Sequence, residues 1–327
     1  MTVSFRIFCC LIVLSFFSTL LSAQSFYEHP KAKSVIKELV EDHGLNEEKL
    51  IQWLKKGQYS QSTVKNLAKP AEKTKTLKEY APLFVEPNSI KNGIEFYKTN
   101  EAALLRAQEK FGVPATIITA IIGIETRYGN YTGKSITFNA LGTTAFSDQS
   151  RNEFFMREFK AFLQICHEQN LDPFELKGSY AGAMGIGQFM PTSYQVYAVD
   201  FNDDGKINIW TDLEDAIGSV ANYLKAHKWD ASDDIVLRAT VAQNSKSEVN
   251  RATIKVATSL DHLLVDGWEV KQSTKSFEKV YPIRLDGEHG VEYWVGLPNF
   301  RVITRYNHSV RYAMTVFLLH QKILESL

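Results

Sequence analysis

The chain has 327 residues, of which 44% are hydrophobic and 23% charged, with 37 Lys plus Arg against 37 Asp plus Glu. A balanced charge excludes a global field that would recruit nucleic acid or an anionic membrane, and the composition is that of a folded globular protein. The length suits about two or three domains, with no internal repeat, heptad or low-complexity tract to suggest a fibrous or solenoid plan.

The first stretch, MTVSFRIFCCLIVLSFFSTLLSAQS, places Arg6 before an uncharged apolar run from Ile7 to Leu21 and then the small residues Ser22 and Ala23. That is the layout of a secretory signal cleaved after Ala23, and it predicts an exported protein. The run is short for a spanning helix, which needs about 20 residues. Cys9 and Cys10 lie too early for a lipid-bearing cysteine. Without them only Cys166 remains, so no internal disulfide is expected, and Cys166 reads as an inert buried thiol on a helix.

From Ser34 to about Leu67 the pattern predicts short amphipathic helices, with Val35, Ile36, Leu39 and Val40 on one face and Leu50, Ile51 and Leu54 on the next. A turn-prone, Lys-rich stretch follows around Pro70. Ile90, Ile94, Phe96, Leu104 and Leu105 recur at helical spacing and predict one long helix from near Ser89. Pro114 suits the first turn of another, which Gly129 would end. Phe155, Phe159, Phe162 and Leu163 predict a helix over 154–167, and further helices are expected after Pro191 and from Asp215 to His227.

After Trp229 the texture changes. DIVLRATVA, ATIKVATS, VYPIRL and VEYWVGL are short, β-branched and separated by polar turns, as antiparallel strands are. VRYAMTVFLLHQKIL is helical again. The expected plan is α+β and mainly α: a signal at 1–23, an N-terminal helical region at 24–100, an α-rich core at 101–228, a small β-rich domain at 229–300, and a segment at 301–327 whose helix returns to the core.

The chemistry centres on IIGIETRYGN, residues 121–130, where Glu125 ends a run containing Ile117, Ile118, Ile121, Ile122 and Ile124. A helix apolar almost all round is buried, and a carboxyl there loses hydration. It also lies in the last turn, where the helix dipole disfavours negative charge. Both effects favour an acid that stays protonated near neutral pH, the property of a general acid. The competing reading is a structural ion pair, for which Arg127 is poorly placed at a spacing of two.

The Gly-rich segment KGSYAGAMGIGQFMPTSY, 177–194, lets backbone approach a ligand closely, but it has no phosphate-loop spacing. Gln188, Tyr180 and Tyr194 offer amide, hydroxyl and aromatic faces that suit sugar rings. No His/Cys cluster suggests zinc, and no Gly-x-Ser-x-Gly elbow suggests a serine hydrolase.

GIETRYG, the Gly-rich segment, DGKINIW, DAIGSVANYLKAHKW and ITRYNHSVRYAM together resemble the membrane-bound lytic murein transglycosylase B family, in order over roughly residues 76–327. The resemblance implies a lysozyme-like catalytic core with an α domain and a small antiparallel β domain. It further implies a periplasmic protein, soluble or loosely membrane-associated, acting on the glycan strands of peptidoglycan between N-acetylmuramic acid and N-acetylglucosamine. Glu125 matches the family's catalytic glutamate. It would protonate the glycosidic oxygen, let the substrate's N-acetyl group stabilise the sugar cation, and then deprotonate the muramyl C6 hydroxyl, which closes on C1 as a 1,6-anhydro sugar. This accounts for the absence of an Asp or Glu from GAMGIGQFMP and RYNHSVRY, since substrate assistance replaces the usual second carboxylate. By the same resemblance Ser179, Gln188, Tyr223, Asn307 and Tyr312 match substrate-binding positions, as does Tyr80 in divergent surroundings. Of the family's paired arginines, SDQSRNEFF keeps only Arg151.

DFNDDGKINIWTDLED, 200–215, sets Asp200, Asn202 and Asp204 at positions 1, 3 and 5 of a calcium loop, Gly205 at 6 and Lys206 at 7, where the backbone carbonyl is used. Thr211 stands at position 12 in place of the bidentate Glu. The resemblance implies a longer EF-hand-like loop closed by Asp215, with Asp212 as a competitor. The expected ion is a structural Ca²⁺, and no organic cofactor is expected. Two other readings are a hydrolase using the same acid with water, and a non-catalytic glycan-binding scaffold for other cell-wall enzymes. The segment before residue 76 carries no legible motif.

Overall fold

The computed structural model describes residues 25–67, 75–147, 152–270 and 276–327. The expected signal, the stretch around Pro70 and Arg151 lie outside the described residues. Three short helices open the chain: α1 (Ala32–His43), α2 (Glu47–Lys56) and α3 (Gln61–Leu67). Asn46 caps α2, its side chain accepting the Lys49 N–H at 2.8 Å. The short α4 (Leu77–Tyr80) begins with a Thr76–Glu79 capping box.

The long helix expected from Ser89 is instead two, α5 (Pro87–Thr99) and α6 (Glu101–Phe111). Asn100 makes the break. Its backbone N–H and its side-chain amide both donate to the Phe96 carbonyl, at 3.0 and 2.8 Å, so local side-chain bonding displaces the next helical turn.

α7 (Ala115–Thr126) is the central helix, packed against α5, α6, α11 (Leu213–Ala226) and α14 (Val310–Leu324). Every residue of it except Glu125 is buried. Ile117, Ile118, Ile121 and Ile122 are fully enclosed, and each such side chain contributes about 1.5–3 kcal/mol on leaving water. Around it stand α8 (Thr137–Ala145), α9 (Asn152–Glu168) and α10 (Pro191–Tyr197). Glu158, 1% exposed on α9, caps α10 by accepting the Thr192 N–H and Oγ1 at 2.9 and 2.8 Å. Cys166 is buried and free, and burial pushes its thiol far above its ordinary pKa.

A two-stranded ribbon pairs β1 (Ser135–Ile136) with β2 (Lys177–Gly178). A four-stranded antiparallel sheet has the order β4 (Trp268–Val270), β3 (Val236–Val241), β6 (Gly290–Gly296), β5 (Tyr281–Gly287). Leu237, Leu260, Leu263, Trp268, Val295 and Leu297 form its own small core, apart from the main one. α12 (Leu260–Val265) packs on β4, and α13 (Pro298–Tyr306) leads from the sheet to α14, which lies against α7.

ATIKVATS is not a strand. Buried Asn250 takes its backbone instead, with Oδ1 accepting the Lys255 and Val256 N–H groups at 2.7 and 2.9 Å and Nδ2 donating to Val256 O at 2.8 Å. Only Thr258 bridges to Val280.

Candidate active site

GIETRYG folds as a helix end clamped to the Gly-rich loop. α7 stops at Thr126, before Gly129, because Arg127 and Tyr128 both turn left-handed at φ 52° and 62°. Such backbone is unfavourable for residues with a Cβ and persists where surrounding contacts over-determine it. Here Tyr128 Oη donates to Ser89 O at 2.8 Å. Its ring lies over Gly123, where a Cβ would come within 2.6 Å of it. Thr126 Oγ1 donates to Ile186 O at 2.9 Å and accepts the Gly129 N–H at 3.0 Å, tying the helix to the loop that follows Ser179.

The result is an open cleft of about 760 Å³ with Glu125 in its wall. Glu125 is half-buried, its neighbours along the helix fully so. From below, Tyr312 of α14 donates its hydroxyl to Glu125 Oε1 at 2.6 Å. Tyr312 is 1% exposed, and its pKa is raised well above 10, first by burial and then by the charge of Glu125. It therefore remains a hydroxyl and a fixed donor, orienting the carboxyl. Tyr80 is also buried, near enough to Tyr312 to influence its titration, with its ring 5.3 Å from Phe84.

Of the residues singled out in the sequence, Glu125, Ser179, Gln188 and Tyr180 line the cleft together. Ser179 Oγ accepts the Ala181 and Ala183 N–H groups at 3.2 and 3.0 Å, holding the first turn of the Gly-rich loop. Gln188 adopts a left-handed backbone, φ 52°, and commits its amide nitrogen to Thr132 O and Gly185 O at 3.1 and 2.9 Å. What it offers a ligand is its carbonyl oxygen.

Tyr223, Asn307 and Tyr194 sit elsewhere. Tyr223 is 8% exposed, stacks on His227 at 4.2 Å, and donates its hydroxyl to Arg305 O at 2.7 Å. Asn307 lies in the turn between α13 and α14, where its side chain accepts the Ser309 N–H at 3.1 Å. Tyr194 is a core residue whose hydroxyl donates to Ile207 O at 2.8 Å, not a sugar platform.

The wall facing the Gly-rich loop was invisible in the sequence. Gln58, Tyr59, Ser60, Ser62 and Asn66 come from the motif-free N-terminal region. The Gln58 N–H donates to Asn139 Oδ1 at 3.0 Å and the Ser60 N–H to Thr143 Oγ1 at 2.7 Å, fixing this segment on α8. Tyr59 packs edge-on against buried Phe26 at 4.8 Å. Tyr131, Gly133, Lys134, Ser135, Ile136 and Asn139 complete the lining. Short polar segments of this kind have no periodicity to reveal them.

At the 200–215 loop Gly205 turns at φ 87°. Asp200 accepts the Asp204 and Gly205 N–H groups at 3.1 and 2.7 Å, and Asp204 accepts the Lys206 N–H at 2.8 Å. Asp215, 1% exposed, accepts Phe201 N–H and Asn208 N–H, both at 2.7 Å, and so joins the two sides of the loop. Asp212 caps α11 through Glu214 N–H at 2.8 Å and accepts from Asn202 Nδ2 at 2.8 Å. Burial raises the Asp215 pKa, the two backbone donors oppose this, and the charges of Asp212 and Asp200 add to the rise. Among the described residues no group of three His, Cys, Asp or Glu side chains is spaced to hold a metal. The loop still carries carboxylate and amide oxygens of the kind hard cations take, and the charges of Asp212 and Asp200 act on Asp215.

A half-buried acid in a polar cleft, held from behind by a tyrosine, suits acid catalysis, and the sequence around it matches a known family. The transglycosylase SLT domain profile covers residues 28–321. The chain belongs to this family of lytic transglycosylases. Membrane-bound lytic murein transglycosylase B of Escherichia coli (strain K12) is 39% identical over 307 residues, spanning 91% of this chain and 84% of that protein. The Escherichia coli lytic transglycosylase Slt35 in complex with calcium superposes with a TM-score of 0.84 at 39% identity, over 92% of this chain and 95% of that one. SltB3 from Pseudomonas aeruginosa in complex with NAG-NAM-pentapeptide gives 0.80 at 27% identity, over 92% and 80%. The mainly helical fold with its small antiparallel sheet is that of the lysozyme-like lytic transglycosylases, and the chain is a lytic murein transglycosylase, a lyase of peptidoglycan. No helix among the described residues is long and apolar enough to cross a membrane.

Proposed function

We propose that Glu125 alone performs both proton transfers of a non-hydrolytic cleavage between N-acetylmuramic acid and N-acetylglucosamine. The observation that carries this is that Glu125 is the one carboxylate among the described residues lining the cleft. Glycosidases that use water or a protein nucleophile pair two carboxyl groups across the bond, about 5–9.5 Å apart. No second carboxylate stands among the described cleft-lining residues, so Glu125 itself first gives its proton to the glycosidic oxygen. The 2-acetamido oxygen of the muramyl residue supports the developing cation. The carboxylate then removes the proton from the C6 hydroxyl, whose oxygen bonds to C1, and the acid is regenerated. Tyr312 keeps the carboxyl in one orientation through both steps, while Ser179 and Gln188 shape the backbone and carbonyl contacts along the glycan. Tyr80, on the α4 that packs against α14, stands as a substrate position on the family match. Arg151, Tyr223 and Asn307 stand as further substrate positions on the family match, Tyr223 and Asn307 acting through the loops they brace.

The product decides the reading. Purified peptidoglycan digested by the protein is expected to yield muropeptides ending one water lighter than reducing ends. Reducing ends would indicate a hydrolase, and binding without products would indicate a scaffold.

In this proposal the enzyme works in the periplasm after loss of residues 1–23, soluble or loosely attached to the membrane. Residues 101–228 carry the chemistry, 24–100 supply the facing wall, and 229–300 with 301–327 buttress the acid through α14. The 200–215 loop would hold Ca²⁺ through Asp200, Asn202, Asp204, the Lys206 carbonyl and Asp215, and the ion would relieve carboxylate repulsion beside α11. For a site with a dissociation constant of ~10⁻⁴ M, calcium at about a hundredfold excess stabilises the fold by roughly 2.7 kcal/mol. Chelation is therefore expected to lower the thermal midpoint by several degrees, and Asp200→Ala should abolish the difference. An identical midpoint with chelator and with calcium would remove the ion from the account.

A further inference from the structure

Besides Glu125, one charged side chain lines the cleft among the described residues. It is Lys134, exposed and outside ion-pair distance of any described carboxylate. Its backbone is tied down on both sides. The Tyr131 N–H donates to Thr126 O at 2.8 Å, tying its loop to the end of α7. Gln188 Nε2 donates to Thr132 O from the Gly-rich loop. Gly133, at φ 105°, touches the backbone opposite so closely that a Cβ would lie 2.0 Å from Gly178 O. Ser135 then pairs with Gly178 in the β1–β2 ribbon. These contacts tie the backbone that carries Lys134 to the end of α7, where Glu125 sits, and to the Gly-rich loop, and a cation on an anchored backbone loses less freedom on capturing an anion than one on a loose loop.

The rest of the lining consists of amides, hydroxyls, aromatic rings and short apolar patches. Those groups serve the neutral hydroxyl and N-acetyl groups of the sugars and give no reason for a fixed positive charge. Resting on the peptidoglycan reading, we propose that Lys134 is a specificity-determining residue that binds a carboxylate carried on the lactyl arm of a muramyl residue. That carboxylate has two sources: the lactyl group itself when the peptide is missing, and the stem peptide when it is present. Contact with either would mark muramyl from N-acetylglucosaminyl residues, a choice that the neutral lining cannot make by charge.

Binding is measured without turnover, in a Glu125→Gln background with and without Lys134→Met. The probes are alternating tetrasaccharides bearing free lactyl carboxylates, the same with those groups capped as methyl amides, and the same bearing stem peptides. The methionine is expected to weaken a carboxylate-bearing probe about tenfold, as loss of a charge-assisted hydrogen bond does, and to leave the methyl amide within about twofold. A loss confined to the free lactyl probe assigns the lactyl group, and one confined to the peptide probe assigns the stem. Lys134→Arg should keep most of the affinity, and the effect should fade with added salt. Equal weakening of the methyl amide, or no weakening of any probe, overturns the proposal. A wild-type protein that makes no anhydro products would sink the transglycosylase reading without touching this binding result.

Discussion

Glu125→Gln is expected to lower the release of anhydromuropeptides by at least about 10³-fold while the protein stays folded. One positioned proton transfer is worth about 10²–10⁴ in rate, and here two successive transfers use the same oxygen pair. Gln keeps the shape of Glu and can still take the Tyr312 hydroxyl bond at its carbonyl oxygen, so the helix end should be undisturbed. It cannot give up a proton to a leaving oxygen or accept one from a C6 hydroxyl. Thermal unfolding and turnover of the variant, measured side by side, separate chemistry from folding. Residual activity within tenfold of wild type would mean that another group in the cleft is the acid.

The second large effect is expected at Tyr312→Phe. The ring remains to fill a site that is 1% exposed, and only the hydroxyl that donates to Glu125 is removed. A hydrogen bond to a charged group is worth about 1.5–3 kcal/mol, so kcat should fall about 10- to 100-fold with little change in KM. The direction of the pH effect follows from the bond. A donor to the carboxylate favours its ionised form, so its loss raises the pKa of the acid. The limb on which activity falls as Glu125 ionises should therefore move to higher pH. A wild-type rate and profile would reduce Tyr312 to packing.

Glu125 stood out in the sequence because a charge in a run of isoleucines is a local anomaly. Only the fold shows why it is tolerated. α7 is enclosed on every side except at Glu125, and α14 brings a hydroxyl to it from 187 residues away. The left-handed pair Arg127 and Tyr128 had no sequence signal beyond Gly129, since their conformation is held by Thr126, Ser89 and the flat surface of Gly123. The strand expected at ATIKVATS followed from local β-branching, which Asn250 overrides by taking the backbone donors for itself. Tyr223 shows the converse. Its motif is clear, yet the fold spends its hydroxyl on Arg305 O. The N-terminal wall was hidden for a third reason. Gln58 and Ser60 reach the cleft through bonds to Asn139 and Thr143 more than eighty residues on, and no spacing rule anticipates such a partner.

If the muramyl C6 hydroxyl, not water, closes the reaction at C1, no solvent oxygen enters the new glycan end. Digestion in water enriched in heavy oxygen tests it directly, with the new glycan ends analysed by mass. The expected ends are one water lighter than reducing sugars and free of the label. Labelled reducing ends would show that water attacks C1, and would contradict closure by the hydroxyl.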